Sequence, residues 1–95
     1  MAVEHVIGKN TGKIMLYALS TCGWCQKTKK LLNDAGIDYF YIDVDSLKGD
    51  ERDEIMNAIK RWNPDCSFPT IVIDDNKCVV GFREKEIKDA LTLKL

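Results

Sequence analysis

Only one of the 95 residues, His5, is a histidine, and 14 Lys and Arg set against 15 Asp and Glu leave a net charge of -1. Without an excess of either sign, nothing biases the chain toward DNA, RNA or an anionic membrane surface. No apolar run approaches the roughly 20 residues that a membrane span needs. The opening stretch, MAVEHVIGKNTGK, has neither the charged start nor the apolar block of a signal peptide. A cytoplasmic protein is therefore expected. Internal repeats, low-complexity tracts and linkers are also missing. The length is that of one domain, taken as residues 13–95, with residues 1–12 read as a loose N-terminal extension.

What is present is cysteine, four of them: Cys22, Cys25, Cys66 and Cys78. In a reducing compartment four cysteines seldom form a structural framework, so metal binding or catalysis moves up. Their surroundings decide between the two. KIMLYAL, Lys13 to Leu19, reads as a central strand. Ser20 and Thr21 then suit a helix N-terminus. The following helix is expected from about Cys22 to Ala35, with Cys25, Thr28, Leu31, Leu32 and Ala35 on one stripe and Gly36 as its stop. IDYFYIDV, Ile37 to Val44, is aromatic and β-branched and reads as a second strand. In the next helix Asp50, Glu51, Asp53 and Glu54 crowd the start and Lys60 and Arg61 the end, an order that complements the helix dipole. Ile55, Ala58, Ile59 and Trp62 form its inward face, and Asn63-Pro64 breaks it. Ser67 to Asp74 reads as a third strand, DDNK as a tight turn and Cys78 to Phe82 as a fourth. A last helix covers Arg83 to Leu93, with Ile87, Ala90, Leu91 and Leu93 inward. The order β-α-β-α-β-β-α predicts an α/β fold with a four-stranded mixed sheet between helices on both faces.

Cys22 and Cys25 thus fall where a strand hands over to a helix. A zinc ribbon needs a second close pair or a His/Cys cluster, and here Cys66 and Cys78 are single and His5 is remote. A static disulfide gives no reason to sit at a helix start. A C-x-x-C that follows a strand and opens a helix is the sequence cue for a redox-active dithiol. Its physical basis is the row of unpaired N–H groups in the first helical turn, whose partial positive charge favours a thiolate at Cys22. Cys25, deeper and without that field, is expected to stay protonated. Cys22 then attacks a substrate disulfide and Cys25 resolves the mixed disulfide. Lys27 is a candidate thiolate stabiliser, and Trp24 a candidate apolar platform for a docking partner.

In SFPT, Pro69 stands at a strand start, where proline is tolerated, and a cis Phe68–Pro69 bond fits a tight turn. CGWC, FPT and VVGF, with the spacing between them, resemble the glutaredoxins, within the thioredoxin-like fold, from about Lys13 to Leu93. The resemblance implies that a cis-proline loop faces the dithiol and that the backbone of Phe68 pairs with an incoming thiol substrate, a small case of strand addition. The candidate substrate surface is Thr21, Trp24, Phe68, Pro69, Gly81 and Phe82, with Gly81 giving a substrate backbone close approach.

The departures bear on the electron donor. Glutathione-using members commonly carry a lysine where this chain has Leu19, Thr-Val-Pro where it has Ser67-Phe68-Pro69, and Gly-Gly where it has Gly81-Phe82 before Arg83. Glycine, phenylalanine and a basic residue look instead like the small redoxins that take electrons from thioredoxin reductase and serve ribonucleotide reductase. They also look like little-studied bacterial and archaeal glutaredoxin-like proteins. The resemblance thus implies a monomeric dithiol–disulfide oxidoreductase acting on disulfide-bearing proteins. It would hold no resident cofactor or metal and bind neither nucleic acid nor membrane. Glutathione or another low-molecular-weight thiol is the expected co-substrate. Two alternatives stay open: a redoxin fed by thioredoxin reductase, and an iron–sulfur cluster carrier. Cys66, three residues before Pro69, reads as a loop cysteine or a third thiol near the dithiol. Cys78 reads as a small core residue and His5 as a solvated tail residue.

Overall fold

The computed structural model describes residues 3–92, with side chains described through Ala90. Five strands and three helices follow one another as β1 (Val3–Val6), β2 (Ile14–Ala18), α1 (Gly23–Asp34), β3 (Tyr39–Asp43), α2 (Gly49–Trp62), β4 (Thr70–Ile73), β5 (Lys77–Val80) and α3 (Glu84–Thr92). The sheet runs β1-β3-β2-β4-β5. β2 is parallel to β3 and antiparallel to β4, so Leu16 stands between Tyr41 and Ile71 at the centre of the sheet. This is the thioredoxin-like α/β architecture, with one strand more than the four that the sequence predicts. The extra strand, β1, pairs antiparallel with β3, Glu4 opposite Tyr41 and His5 opposite Phe40. It is four residues long, lies at an edge and has polar residues at its middle, so it carries no hydrophobic period to betray it. Gly8 then passes so close to β3's approach that a Cβ there would meet the Ile37 carbonyl carbon at 2.6 Å, and only glycine fits without moving backbone.

Two helices cover one face of the sheet and one covers the other. Ile14, Leu16, Ala18, Ile71, Ile73 and Val79 pack with Leu32 of α1 and with Ile87 and Ala90 of α3. Ile42, Val44 and Leu47 pack with Ile59 of α2. β2 accordingly buries Ile14, Leu16 and Ala18 completely, while Met15 and Tyr17, under the single helix, are half-buried. Along α1, Cys25, Thr28 and Leu32 are buried. Ala35 is not part of that stripe: it is the exposed C-cap, turned away as Gly36 takes φ 68°. Leu91 and Leu93, expected inward, lie outside the described residues and side chains.

Both strands of the hairpin differ from their expected limits. β4 begins at Thr70 rather than Ser67, because hydrogen bonds hold Ser67 in a turn, Thr70 Oγ1 donating to the Ser67 carbonyl at 2.8 Å. β5 ends at Val80, where Gly81 takes φ 83° and redirects the chain toward α3. Between them Asp74 and Asp75 have φ 53° and 55°, and the Asn76 amide donates to the Ile73 carbonyl, a type I′ hairpin turn.

Candidate active site

The short link between β2 and α1 is fixed from both sides. Asp45, just after β3, accepts hydrogen bonds from the Ser20 amide and hydroxyl, and the Gln26 side-chain amide donates to the Ser20 carbonyl at 3.1 Å. These bonds hold the Asp45 carboxyl below its ordinary range. The Cys22 amide donates back to the Leu19 carbonyl at 3.2 Å. Cys22 itself is the N-cap of α1, in an extended conformation, and its Sγ accepts the Cys25 amide at 3.1 Å. Sulfur here occupies the place of the oxygen that usually satisfies an unpaired N–H of the first turn. Cys22 is half-buried, Cys25 is 0% exposed, and both are free thiols.

Burial pushes the Cys25 thiol up to about 12, its hydrogen bond with Cys22 adding to the shift. A backbone hydrogen bond with Leu19 and the charge of Lys29 pull the other way. The two sulfurs are therefore inequivalent: one at the surface beside a donor N–H, the other sealed beneath it with its proton.

Around the dithiol the remaining candidate residues fall into two groups. Trp24, 58% exposed, stacks on Phe82 with ring centroids 5.8 Å apart, and the Lys27 ammonium lies 4.6 Å above the Trp24 ring. Lys27 is thus placed for a cation–π contact. Thr21 is exposed beside Cys22. On the other side the Phe68–Pro69 bond is cis, Pro69 is buried, and its carbonyl accepts the Gly81 amide at 2.8 Å. Phe68 is half-buried against both core clusters. None of the backbone hydrogen bonds of the described residues uses its amide or carbonyl. Gly81 has open space where a side chain would stand. Arg83 turns back on its own segment, Nε donating to the Val80 carbonyl at 3.1 Å and Nη1 lying 3.5 Å from Glu86.

The other two thiols are elsewhere. Cys66 packs in the α2-side cluster, whereas Cys22 packs against the α1/α3-side cluster. Cys78 is half-buried on edge strand β5, opposite Val72, and burial raises its thiol. His5 is not a free tail residue: its ring stacks on Phe40 at 4.3 Å and its Nε2 is 2.9 Å from both Asp38 oxygens. Among the described residues no group of three or more His, Cys, Asp and Glu is placed to hold a metal ion, and no helix is long and apolar enough to cross a membrane.

Three supporting side chains have no counterpart in the sequence reading. Asp45 pins Ser20. Asn63, read only as a helix breaker, is a buried clamp on the cis-proline loop, its Nδ2 within 3.0–3.1 Å of the Ser67 carbonyl, Ser67 Oγ and Thr70 Oγ1. Lys29 joins α1 to β3 through Asp43 at 2.9 Å. The alternation Asp43-Val44-Asp45 at a strand end is the one local hint of two carboxylates turned toward α1 and the segment before it.

A sheet whose central strand delivers C-x-x-C to a helix cap, opposite a cis-proline, defines a thioredoxin-like redox protein. Residues 14–79 match the family model of glutaredoxin, and the chain belongs to the glutaredoxin family. It is 50% identical to the glutaredoxin of Methanosarcina mazei, covering 96% of this chain and 88% of that one, with a TM-score of 0.89. It is also 50% identical to the methanoredoxin of Methanosarcina acetivorans, covering 88% of each chain, with a TM-score of 0.86. A glutaredoxin-like 8.6 kDa protein from the rubredoxin operon of Clostridium pasteurianum is 39% identical over 75 residues, 78% of this chain and 91% of that protein.

Proposed function

We propose that this protein is a dithiol–disulfide oxidoreductase that reduces protein disulfides or mixed disulfides, with electrons from glutathione or another small thiol. The observation that carries the reading is the inequivalence of the pair: Cys22 caps α1 with its sulfur on the Cys25 amide, and Cys25 is buried and protonated. The thiolate of Cys22 attacks one sulfur of the substrate disulfide, forms a mixed disulfide and expels the first thiolate, which takes a proton. Cys25 then attacks Cys22 Sγ, closes the Cys22–Cys25 disulfide and releases the second substrate thiol. Two electrons leave the dithiol and enter the substrate.

The substrate surface in this reading is Thr21, Trp24, Phe68, Pro69, Gly81 and Phe82. The unused Phe68 amide and carbonyl support strand-like pairing with an incoming backbone. The exposed Trp24–Phe82 stack offers apolar area beside the dithiol. Lys27, over that stack, adds positive charge at its rim.

A second donor reading, thioredoxin reductase, draws on Leu19, which puts an apolar side chain where glutathione-using members present a cation. It would make ribonucleotide reductase a candidate recipient. Coupled assays that offer glutathione with its reductase, other small thiols, or thioredoxin reductase decide between them. Turnover with a small thiol supports the first reading. Turnover with the flavoprotein reductase alone replaces it with the second. A coloured, cluster-bound dimer after anaerobic reconstitution, with no disulfide reduction, would overturn both in favour of a cluster carrier.

A further inference from the structure

The half-buried ion pair of Lys29 and Asp43, which joins α1 to β3, has no part in the substrate surface. Their side chains are 14% and 25% exposed, and the contact is 2.9 Å. Surface pairs of this kind contribute little to stability, so a partly buried one beside a reactive thiol calls for another account. Lys29 follows Cys25 by four residues, which puts the two on one face of α1 a single turn apart. Its ammonium is held there, not free: Asp43 holds it from the end of β3, and the Tyr41 ring lies beneath it at 4.3 Å. Thr28, the residue before Lys29 on the same helix, is fully buried, as is Cys25.

We infer that Lys29, clamped by Asp43 and Tyr41, is a positioning residue for the resolving half-reaction, supplying a fixed cation next to Cys25 as that sulfur gives up its proton. The inference rests on the dithiol reading above. The step balances as Cys25–SH plus Cys22–S–S–R giving the Cys22–Cys25 disulfide plus R–SH, the proton of Cys25 passing in net terms to the departing substrate sulfur. Burial holds that proton on Cys25, and the charge of Lys29 opposes burial. The charged and titratable groups around Cys25 are few. Cys22 faces it from the cap and Lys29 from α1. From β3, Tyr39 is buried in the same cluster and Tyr41 packs against it, while Asp43 and Asp45 enter only through their interaction with Lys29. From α3, the inward residues Ile87 and Ala90 carry no charge. Lys29 is the sole cation of the set, and Asp43 both orients and dilutes it.

The partners of one ion pair should therefore act in opposite directions. Reduced protein in a Cys66→Ser, Cys78→Ser background is mixed with 5,5′-dithiobis(2-nitrobenzoate). The released thionitrobenzoate is followed in two phases, attack by Cys22 and then the concentration-independent resolution by Cys25. Lys29→Met should displace the pH profile of the second phase upward by about one unit. At pH 7 that leaves about tenfold less thiolate, partly offset by its greater nucleophilicity, so resolution slows roughly threefold. Lys29→Arg should restore the profile. Asp43→Asn should displace it downward, because the cation is no longer neutralised. Superimposable profiles for Lys29→Met and the parent, or displacement of both variants in the same direction, would overturn the inference, the latter marking a merely structural pair. If Lys29→Met does not fold, Asp43→Asn against the parent keeps the test open. A parent that releases only one equivalent, with no second phase, would instead defeat the dithiol reading itself.

Discussion

Cys25 and Cys78 are both thiols whose protons burial holds, yet the fold gives them different company. Cys25 is buried in the first turn of α1, its amide donating to a second sulfur and a cation one turn away. Cys78 lies on the edge strand β5, paired across to Val72, and burial alone raises it. A high proton affinity therefore does not make a resolving thiol. In the proposed mechanism a neighbouring sulfur does, because it replaces a bimolecular encounter with an intramolecular one. The sharpest way to break the contrast is to exchange the neighbours' fates. Cys22→Ser should reduce protein-disulfide turnover to the uncatalysed rate, whereas Cys78→Ser should leave it unchanged within about twofold, the range of a surface substitution that costs under 0.5 kcal/mol. Insulin reduction with a small-thiol donor reads both, and an equal loss in the two variants would erase the distinction.

Cys25→Ser tests the same contrast from its other side. Without the intramolecular attack, the mixed disulfide on Cys22 must wait for an external thiol. Turnover on protein disulfides should drop by roughly 100-fold at millimolar thiol, well within what proximity supplies. The covalent Cys22–substrate adduct should then be visible by intact-mass measurement. Rapid turnover in this variant with a protein substrate would show that Cys25 is dispensable.

A smaller effect separates the two thiols by pH. Both are raised, so both are favoured as thiols in the folded state. The stability they contribute is complete below the ordinary thiol value and is lost as pH rises through the folded values, for Cys25 up to about 12. Alkaline unfolding of the reduced protein should accordingly begin above about pH 8.5, the ordinary thiol value. Its decline should be shallower for Cys25→Ala than for the parent, with Cys78→Ala moving it less. Thermal melts from pH 7 to 11 provide the comparison. Parallel declines in parent and Cys25→Ala would remove burial as the cause.

The sequence carries the chemistry of this site more openly than its support. C-x-x-C, the strand before it and the proline of the facing loop are local, and each shows in a few adjacent residues. Cys25 on the buried stripe and Gly36 at the helix stop follow from spacing alone, whereas the cap falls on Cys22 itself and not on the hydroxyl residues Ser20 and Thr21 that the sequence offers for it. The supports are not local. Ser20 meets Asp45 across 25 residues, and β1 meets β3 across more than 30. Such pairs leave no period and no motif, since either member alone is an ordinary polar surface residue. β1 is the clearest instance: Val-Glu-His-Val can be a strand only because β3 offers it an edge. Ala35 shows the converse, an apolar residue at the right helical spacing that the helix end turns out to solvent.

Asn63 connects the cis-proline loop to the end of α2, and it sharpens the contrast by asking whether the scaffold of the site can fail while its sulfurs stay intact. Asn63→Ala removes the donor shared by Ser67 and Thr70 in a buried setting. The loss should be about 1–3 kcal/mol of stability, the range for an unmade buried hydrogen bond. KM for a protein disulfide should rise with little change in the rate of Cys22 alkylation. Urea melts and the KM-against-kcat split measure the two parts, and an unchanged KM would detach the loop from substrate binding.

The smallest effect belongs to the opposite edge of the sheet. Asp38 accepts His5 Nε2 on both oxygens at 2.9 Å and the Gly8 amide at 3.1 Å, and these bonds hold its carboxyl below the ordinary range, the His5 contact first. For a depressed carboxyl, the stabilisation is present above the ordinary value and is lost as pH falls through the folded one. Asp38→Asn should thus lower Tm slightly at pH 6, and the difference from the parent should close as the pH approaches 3. Because β3 stands between β1 and β2, the strand that leads to the dithiol, thionitrobenzoate release should not change. A change in its second phase on Asp38→Asn would mean that the sheet edge reaches the sulfurs. The division between a reactive centre and inert margins, on which the contrast of Cys25 with Cys78 depends, would then be drawn in the wrong place.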